Sequence, residues 1–267
     1  MSENLGQRAA QSLAAIRQKQ PLIHNITNFV VMNNTANALL ACGASPVMAH
    51  AAEEVEQMVA FAGALVLNIG TLTPVWVQAM LLAAAKAKAL GVPIILDPVG
   101  SGATDLRTQA SRRIMAVGVS VVRGNASEVL SLSDAASQTK GVDSTHSVDD
   151  AAQAGQALSR SLGTPVAITG AVDLITDGRR TLRVANGHPL MTRVTGIGCT
   201  ASAIIGAFLA VDPDPLAAAA AALALVGLAG EKAAAVSNGP GSLQVNLLDA
   251  LYNLTPEDLA REARISA

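Results

Sequence analysis

Short apolar runs, each cut off by glycine, proline or aspartate and separated by longer stretches of helical periodicity, set the strongest limit on how this chain can fold. The runs fall at residues 45–49, 64–69, 92–96, 119–122 and 165–168. A strand that is apolar on both sides has no face to offer water, so it belongs inside a parallel sheet. Residues 27–41, 52–61, 74–90, 105–116 and 148–162 carry the helical spacing between them. That alternation predicts βαβ units, and hence an α/β fold in which a mostly parallel central sheet is covered by helices on both faces. Pro74 and Gly91 bracket one helix in the expected sense, proline in the first turn and glycine past the last.

From Asp173 the chemistry becomes that of a hairpin. Leu174-Ile175-Thr176 and Thr181-Leu182-Arg183-Val184 flank the turn Asp177-Gly178-Arg179, and a further strand is expected to end near Thr192. These strands form an antiparallel edge. Ala-rich helices follow at 197–211, 215–236 and 239–252, with a short one after Thr255-Pro256-Glu257. No repeat, Pro-rich linker or charge block interrupts the chain, so residues 1–267 are expected to form a single domain. Residues 141–147 are the best place for a mobile loop.

Composition narrows the function classes. The chain is 51% hydrophobic and 14% charged, enough apolar surface to build a core. Only 2% of it is aromatic, which leaves few rings for stacking bases, and 18 Lys and Arg against 20 Asp and Glu provide no broad positive field. Nucleic acid is therefore not an expected partner. The most hydrophobic region, 201–230, is broken by Asp212-Pro213-Asp214-Pro215 into arms shorter than the roughly 20 residues that span a bilayer. These arms read as buried core helices, and no membrane is expected. Cys42 and Cys199 lie too far apart in sequence for a disulfide scaffold or zinc motif, and the first twenty residues lack a continuous apolar stretch. A reducing, cytoplasmic location follows as the expectation.

Candidate chemistry gathers at the ends of the expected strands, where open α/β sheets bind ligands. Asp97-Pro98-Val99-Gly100-Ser101-Gly102 puts a carboxylate and a flexible turn at one strand end. Arg123-Gly124-Asn125-Ala126-Ser127-Glu128 does the same at the next. Taken singly, the first could be an ordinary β-turn and the second a helix cap with Asn125 at the N-cap and Glu128 at N3. Taken together they suit Mg²⁺, which takes one or two carboxylates and leaves its other positions to water and phosphate. Thr195-Gly196-Ile197-Gly198-Cys199-Thr200 precedes a long helix, so its amides can face an anion or simply permit tight packing. Thr169-Gly170 ends another strand, where a hydroxyl could meet phosphate. His24-Asn25-Ile26-Thr27-Asn28 either caps a helix or reads a polar ligand, and Met48 is core unless it lines a pocket. Walker, protein-kinase and GxSxG signatures are missing.

In order along the chain, His24–Asn28, Ser45–Ala49, Leu67–Leu72, Asp97–Gly100, Arg123–Glu128 and Thr195–Cys199 resemble the hydroxyethylthiazole kinases, a thiamine-salvage family of ribokinase-like architecture. The resemblance runs from about residue 20 to about 255. It implies phosphorylation of 4-methyl-5-(2-hydroxyethyl)thiazole by ATP with Mg²⁺. It implies that Arg123 and Thr169 contact ATP, that Met48 and Gly196 contact the thiazole with Asn25 nearby, and that Asp97 and Glu128 serve the metal. Gly196, Gly198 and Cys199 would form the catalytic anion hole. A homotrimer with sites between subunits is implied in the same way. Most ribokinase-like kinases place an aspartate base where this chain has Cys199; here a mostly protonated, positioning thiol is expected. The alternatives are a hydroxymethylpyrimidine kinase or another ribokinase-like small-molecule kinase, a nucleotide-binding sensor without catalysis, and an ATP-dependent dehydratase of the same fold.

Overall fold

In a computed structural model, residues 4–133 and 148–267 are described; the loop expected at 141–147 lies outside them. The strands are β1 (Leu22–Ile26), β2 (Ser45–Val47), β3 (Ala64–Asn68), β4 (Ile94–Asp97), β5 (Val121–Asn125), β6 (Val166–Thr169), β7 (Asp173–Thr176), β8 (Thr181–Val184) and β9 (Ile265–Ser266). They join in one sheet of order β2-β1-β3-β4-β5-β6-β7-β8-β9. Pairing is parallel from β2 to β6 and antiparallel from β6 to β9.

The helices are α1 (Leu5–Lys19), α2 (Met32–Cys42), α3 (Val55–Val59), α4 (Pro74–Leu90), α5 (Asp105–Val117), α6 (Ala126–Leu132), α7 (Val148–Leu162), α8 (Ile197–Leu209), α9 (Pro215–Ala235), α10 (Pro240–Asn253) and α11 (Pro256–Glu262). One core, built on Ile23, Val66, Ile95 and Val121, packs under α1, α2 and α8–α11. A second, built on Leu65, Leu67, Ile94 and Leu96, packs under α3–α7. Alternate residues of the same strands feed the two cores, which is why both sides of these runs are apolar. Nearly all of α9 is buried within the protein, consistent with an Ala- and Leu-rich helix in its interior.

Local rules explain the boundaries. Thr73 Oγ1 accepts from Trp76 N, Pro74 occupies the first turn, and Gly91 ends α4 at φ +71°. A cap of this type is worth about 1 kcal/mol. Two expectations are corrected. The helix expected from residue 27 begins at Met32, because β1 runs through Ile26 and Asn28 Oδ1 accepts from Val30 N to make a turn first. His24 and Asn25 had hidden this strand by breaking its apolar run. The strand expected to end near Thr192 is a 3₁₀ helix, Pro189–Arg193, capped by His188 Nδ1. Pro189 has no N–H to give a ladder, and the place beside β8 goes to β9 from the far end of the chain.

Candidate active site

Side-chain alternation turns the sheet's own pattern into a polar row. Ile23, Val66, Ile95, Val121 and Ala167 all belong to the core under α8 and α9. Two residues further along each strand stand Asn25, Asn68, Asp97, Arg123 and Thr169, so the same sheet face ends in polar groups at its carboxyl edge. The amino terminus of α8 meets this row. Ser202 Oγ, one turn into the helix, donates to Asp97 Oδ2 at 2.8 Å. Asn28 Nδ2 donates to Asn68 Oδ1 at 2.8 Å and lies 3.5 Å from Cys199 Sγ.

The two glycines here serve different purposes. Gly196 is the N-cap of α8 at φ +83°, a conformation that favours glycine, and a Cβ there would overlap the Val31 side chain. Gly198 makes room for a charge: a Cβ would fall 2.6 Å from Arg123 Nη1. The guanidinium therefore lies directly against the first turn of α8, where backbone N–H groups have no carbonyl within the helix. Arg123 Nη2 also donates to Thr169 Oγ1 at 2.6 Å, while its buried Nε has no partner in the protein. Positive charge and uncommitted N–H groups thus converge on one spot, a physical requirement for holding phosphate.

Asp97 is fully buried. Its Oδ2 accepts from Asn68 Nδ2 and Ser202 Oγ, each at 2.8 Å, with Arg123 Nη1 at 3.6 Å. Oδ1 is buried without a partner. Burial, with the Glu128 charge adding to it, pushes the carboxyl up to about 6 against the pull of Arg123, Ser202 and Asn68. Glu128 closes the capping box of α6: Asn125 Oδ1 accepts from Glu128 N, and Glu128 Oε2 accepts from Asn125 N. Its Oε1 accepts from Gly100 N at 2.8 Å, which ties the turn after β4 to the start of α6. The capping reading of Glu128 is borne out, with both of its carboxylate oxygens accepting from backbone N–H groups.

Among the described residues no group of three or more His, Cys, Asp or Glu is placed to hold a metal. Mg²⁺ requires fewer, and the unpaired buried Oδ1 of Asp97 is a hard oxygen donor of the kind it takes. The residues fit that ion.

Cys199 is half-buried. Burial first, and then the nearby Asp97 charge, push its thiol up to about 11, although Asn68, Arg123 and Asn28 pull the other way.

Arg123, Thr169, Gly196 and Gly198 line one cavity of about 600 Å³, which extends between the β6–β7 turn, residues 186–192 and α9. Asp97, Glu128 and Cys199 stand outside its lining, as do Asn25 and Met48. Asn25 is buried on β1, with Nδ2 donating to Ile23 O and Oδ1 unpartnered. Met48 follows β2, where His24 Nε2 meets Ala49 O at 2.7 Å and fixes the segment. Since a carbonyl can only accept, Nε2 is the protonated ring nitrogen. Asn28, offered by the sequence only as one of the polar group His24–Asn28, and Asn68 and Ser202, to which it assigns no role, hold Asp97 and Cys199 in place. The signal for Asn68 was available as the end of the alternating set Ala64, Val66, Asn68; Ser202 had none, because one serine in an apolar helix is ordinary.

Known proteins supply an independent comparison. Residues 13–257 match the model of the "Hydroxyethylthiazole kinase family". A hydroxyethylthiazole kinase of Desulfotalea psychrophila is 62% identical over 263 residues, covering 98% of this chain and 96% of that protein. The structure of hydroxyethylthiazole kinase from Pyrococcus horikoshii superposes with a TM-score of 0.90 at 46% identity, covering 97% of this chain and 98% of the other. A ribokinase-like superfamily protein from Enterococcus faecalis shares the fold with a TM-score of 0.63 at 16% identity, covering 88% and 87%.

Proposed function

The chain belongs to the hydroxyethylthiazole kinase family, and from that membership we infer that it transfers the terminal phosphoryl group of ATP to the primary hydroxyl of 4-methyl-5-(2-hydroxyethyl)thiazole, as in thiamine salvage. The observation that carries the reading to particular residues is the meeting of Arg123, Thr169 and the Gly196–Gly198 segment at the mouth of one cavity.

In this reading the nucleoside of ATP occupies the cavity, and its phosphates reach out to Arg123, Thr169 and the first amides of α8. The thiazole lies on the other side, toward Met48, Gly196 and Asn25. Asp97 and Glu128 would hold Mg²⁺, which when bound neutralises charge on the phosphates. Charge building on the transferring group is met by the guanidinium of Arg123 and by the amides at Gly198 and Cys199, already oriented before reaction. A largely dissociative transition state asks little prior deprotonation of the alcohol. Cys199 keeps its proton at neutral pH and positions the hydroxyethyl group, held in turn by Asn28. Two free thiols suit a cytoplasmic enzyme. Phe29, which packs on the Trp76 ring, and Val30 and Val75 are exposed and would be covered in a homotrimer with sites between subunits.

The test is product identification. Purified protein given ATP, Mg²⁺ and either the thiazole or hydroxymethylpyrimidine should yield the thiazole monophosphate by mass spectrometry. Phosphorylated pyrimidine with unchanged thiazole would move the chain to the other heterocycle.

A further inference from the structure

One wall of the cavity, residues 186–192, is held by Glu231 and Arg264, which stand outside the lining. Of the 21 residues of α9 only Glu231 and Lys232 are charged, and Glu231 reaches Gly187 and Arg264. Leu223, Gly227 and Glu231 are spaced four apart, so they form one column on the helix. Leu223 and Gly227 line the cavity. A Cβ on Gly227 would fall 2.5 Å from Asn186 O, and one on Gly230 would overlap the Met191 sulfur, so α9 lies against the 186–191 segment at the closest range a backbone permits.

Glu231 fastens the start of that segment. Its Oε1 accepts from Gly187 N at 2.7 Å. Arg264 forks onto both carboxylate oxygens and also donates to Ala185 O at 2.6 Å. Asn186 completes the clamp, its Oδ1 accepting from Arg264 N at 2.7 Å and its Nδ2 donating to Glu262 O at 3.1 Å. The far end of the chain thus fixes three consecutive residues, of which Asn186 and Gly187 line the cavity.

We propose that Glu231, locked by Arg264, is a positioning residue for the nucleoside end of ATP: it sets the 185–192 segment at the spacing the nucleoside needs, without touching the reacting atoms. This rests on the reading that the cavity seats the nucleotide. Two sets of variants separate the claims. Thr192 is exposed and lines the cavity, so Thr192→Trp should fill it without burdening the core. Glu231→Ala removes the acceptor for Gly187 N, whereas Glu231→Gln keeps an oxygen for Gly187 N but puts an amide NH₂ where Oε2 accepted from Arg264, so it loses the ion pair and one arm of the fork.

Expected are a rise in KM for ATP of about tenfold in Glu231→Ala and a smaller one in Glu231→Gln and Arg264→Ala, the scale of one or two lost hydrogen bonds. The KM for the thiazole and kcat should stay within about twofold, a loose bound against that loss. If Thr192→Trp raises KM for ATP but Glu231→Ala does not, the positioning role is overturned. If Thr192→Trp leaves it unchanged, the cavity is not the nucleotide's seat and both claims fall. A parallel loss in both KM values and in melting temperature would mean that Glu231 supports the fold alone, which also overturns the role.

Discussion

At the scale of single residues, burial decides more than motif. Cys199 occupies a helix start, which favours an anion, but burial and then the Asp97 charge push its thiol up to about 11. A group that stays protonated at pH 7–8 cannot supply the roughly 10²- to 10⁴-fold of general-base assistance. Cys199→Ser should therefore keep at least about a tenth of parental kcat, since positioning by a hydroxyl replaces positioning by a thiol without loss of that assistance; complete loss of turnover with unchanged binding of ATP and thiazole would make the thiol a required base. Asp173 gives a test by pH. It lies at the cavity wall, accepts from Gly170 N at 2.9 Å, and burial pushes its carboxyl up to about 6. Between the unfolded value of about 3.9 and the folded one, the native state binds more protons than the unfolded chain, so stability falls as pH rises across that window and levels off above it. Asp173→Asn should accordingly melt at or above the parent temperature at pH 8 and gain nothing at pH 4. A variant that melts lower at pH 8 would show that the carboxylate is compensated by Arg123 after all.

At the scale of elements, the parallel strands β3, β4 and β6 were legible because each is apolar on both sides, and the hairpin β7–β8 because Asp177 and Gly178 fit its turn. Of β5 only Val121 and Val122 fell in the expected run, since Arg123-Gly124-Asn125 ends its apolar stretch. The strand β1 was not, since it carries the polar row into its own interior at His24 and Asn25, and a strand pattern read by hydrophobicity alone stops there. Of the residues that gather at α8, Arg123, Thr169, Gly196, Gly198, Cys199 and Asp97 were named from sequence, as was Glu128 in the neighbouring α6 cap, but Ser202 and the Asn28–Asn68 relay needed the packing of α8 on β3 and β4. The start of α8 is the element most exposed to test. Gly196→Ala combines a left-handed backbone with an overlap on Val31, so it should cost about 1–3 kcal/mol of stability and at least tenfold in kcat as the amides shift. Trimming Val31→Ala in the same chain should recover part of both losses, because the two side chains compete for one space. Strictly additive losses in the double variant would mean that the overlap is not the cause.

At the scale of the whole molecule, a nine-stranded sheet with a core on each face places every proposed phosphate contact at one edge. Of the residues proposed to contact the thiazole, Met48 and Asn25 lie outside the cavity that holds Arg123 and Thr169, and Gly196 lines it. The proposed assembly, with a second subunit closing that side, would cover the exposed Phe29, Val30 and Val75. Light scattering should find a trimer at assay concentrations, and a fully active monomer would exclude a site shared between subunits. The central claim is that this site couples ATP to one alcohol. Its most direct measurement is the initial rate of ADP release at saturating ATP and Mg²⁺ as the hydroxyethylthiazole concentration is raised, with thiazole phosphate quantified in the same samples. The account predicts a saturable rise from near zero, with one phosphate ester formed per ADP. ADP release that is independent of the alcohol, or that leaves it unphosphorylated, would contradict it.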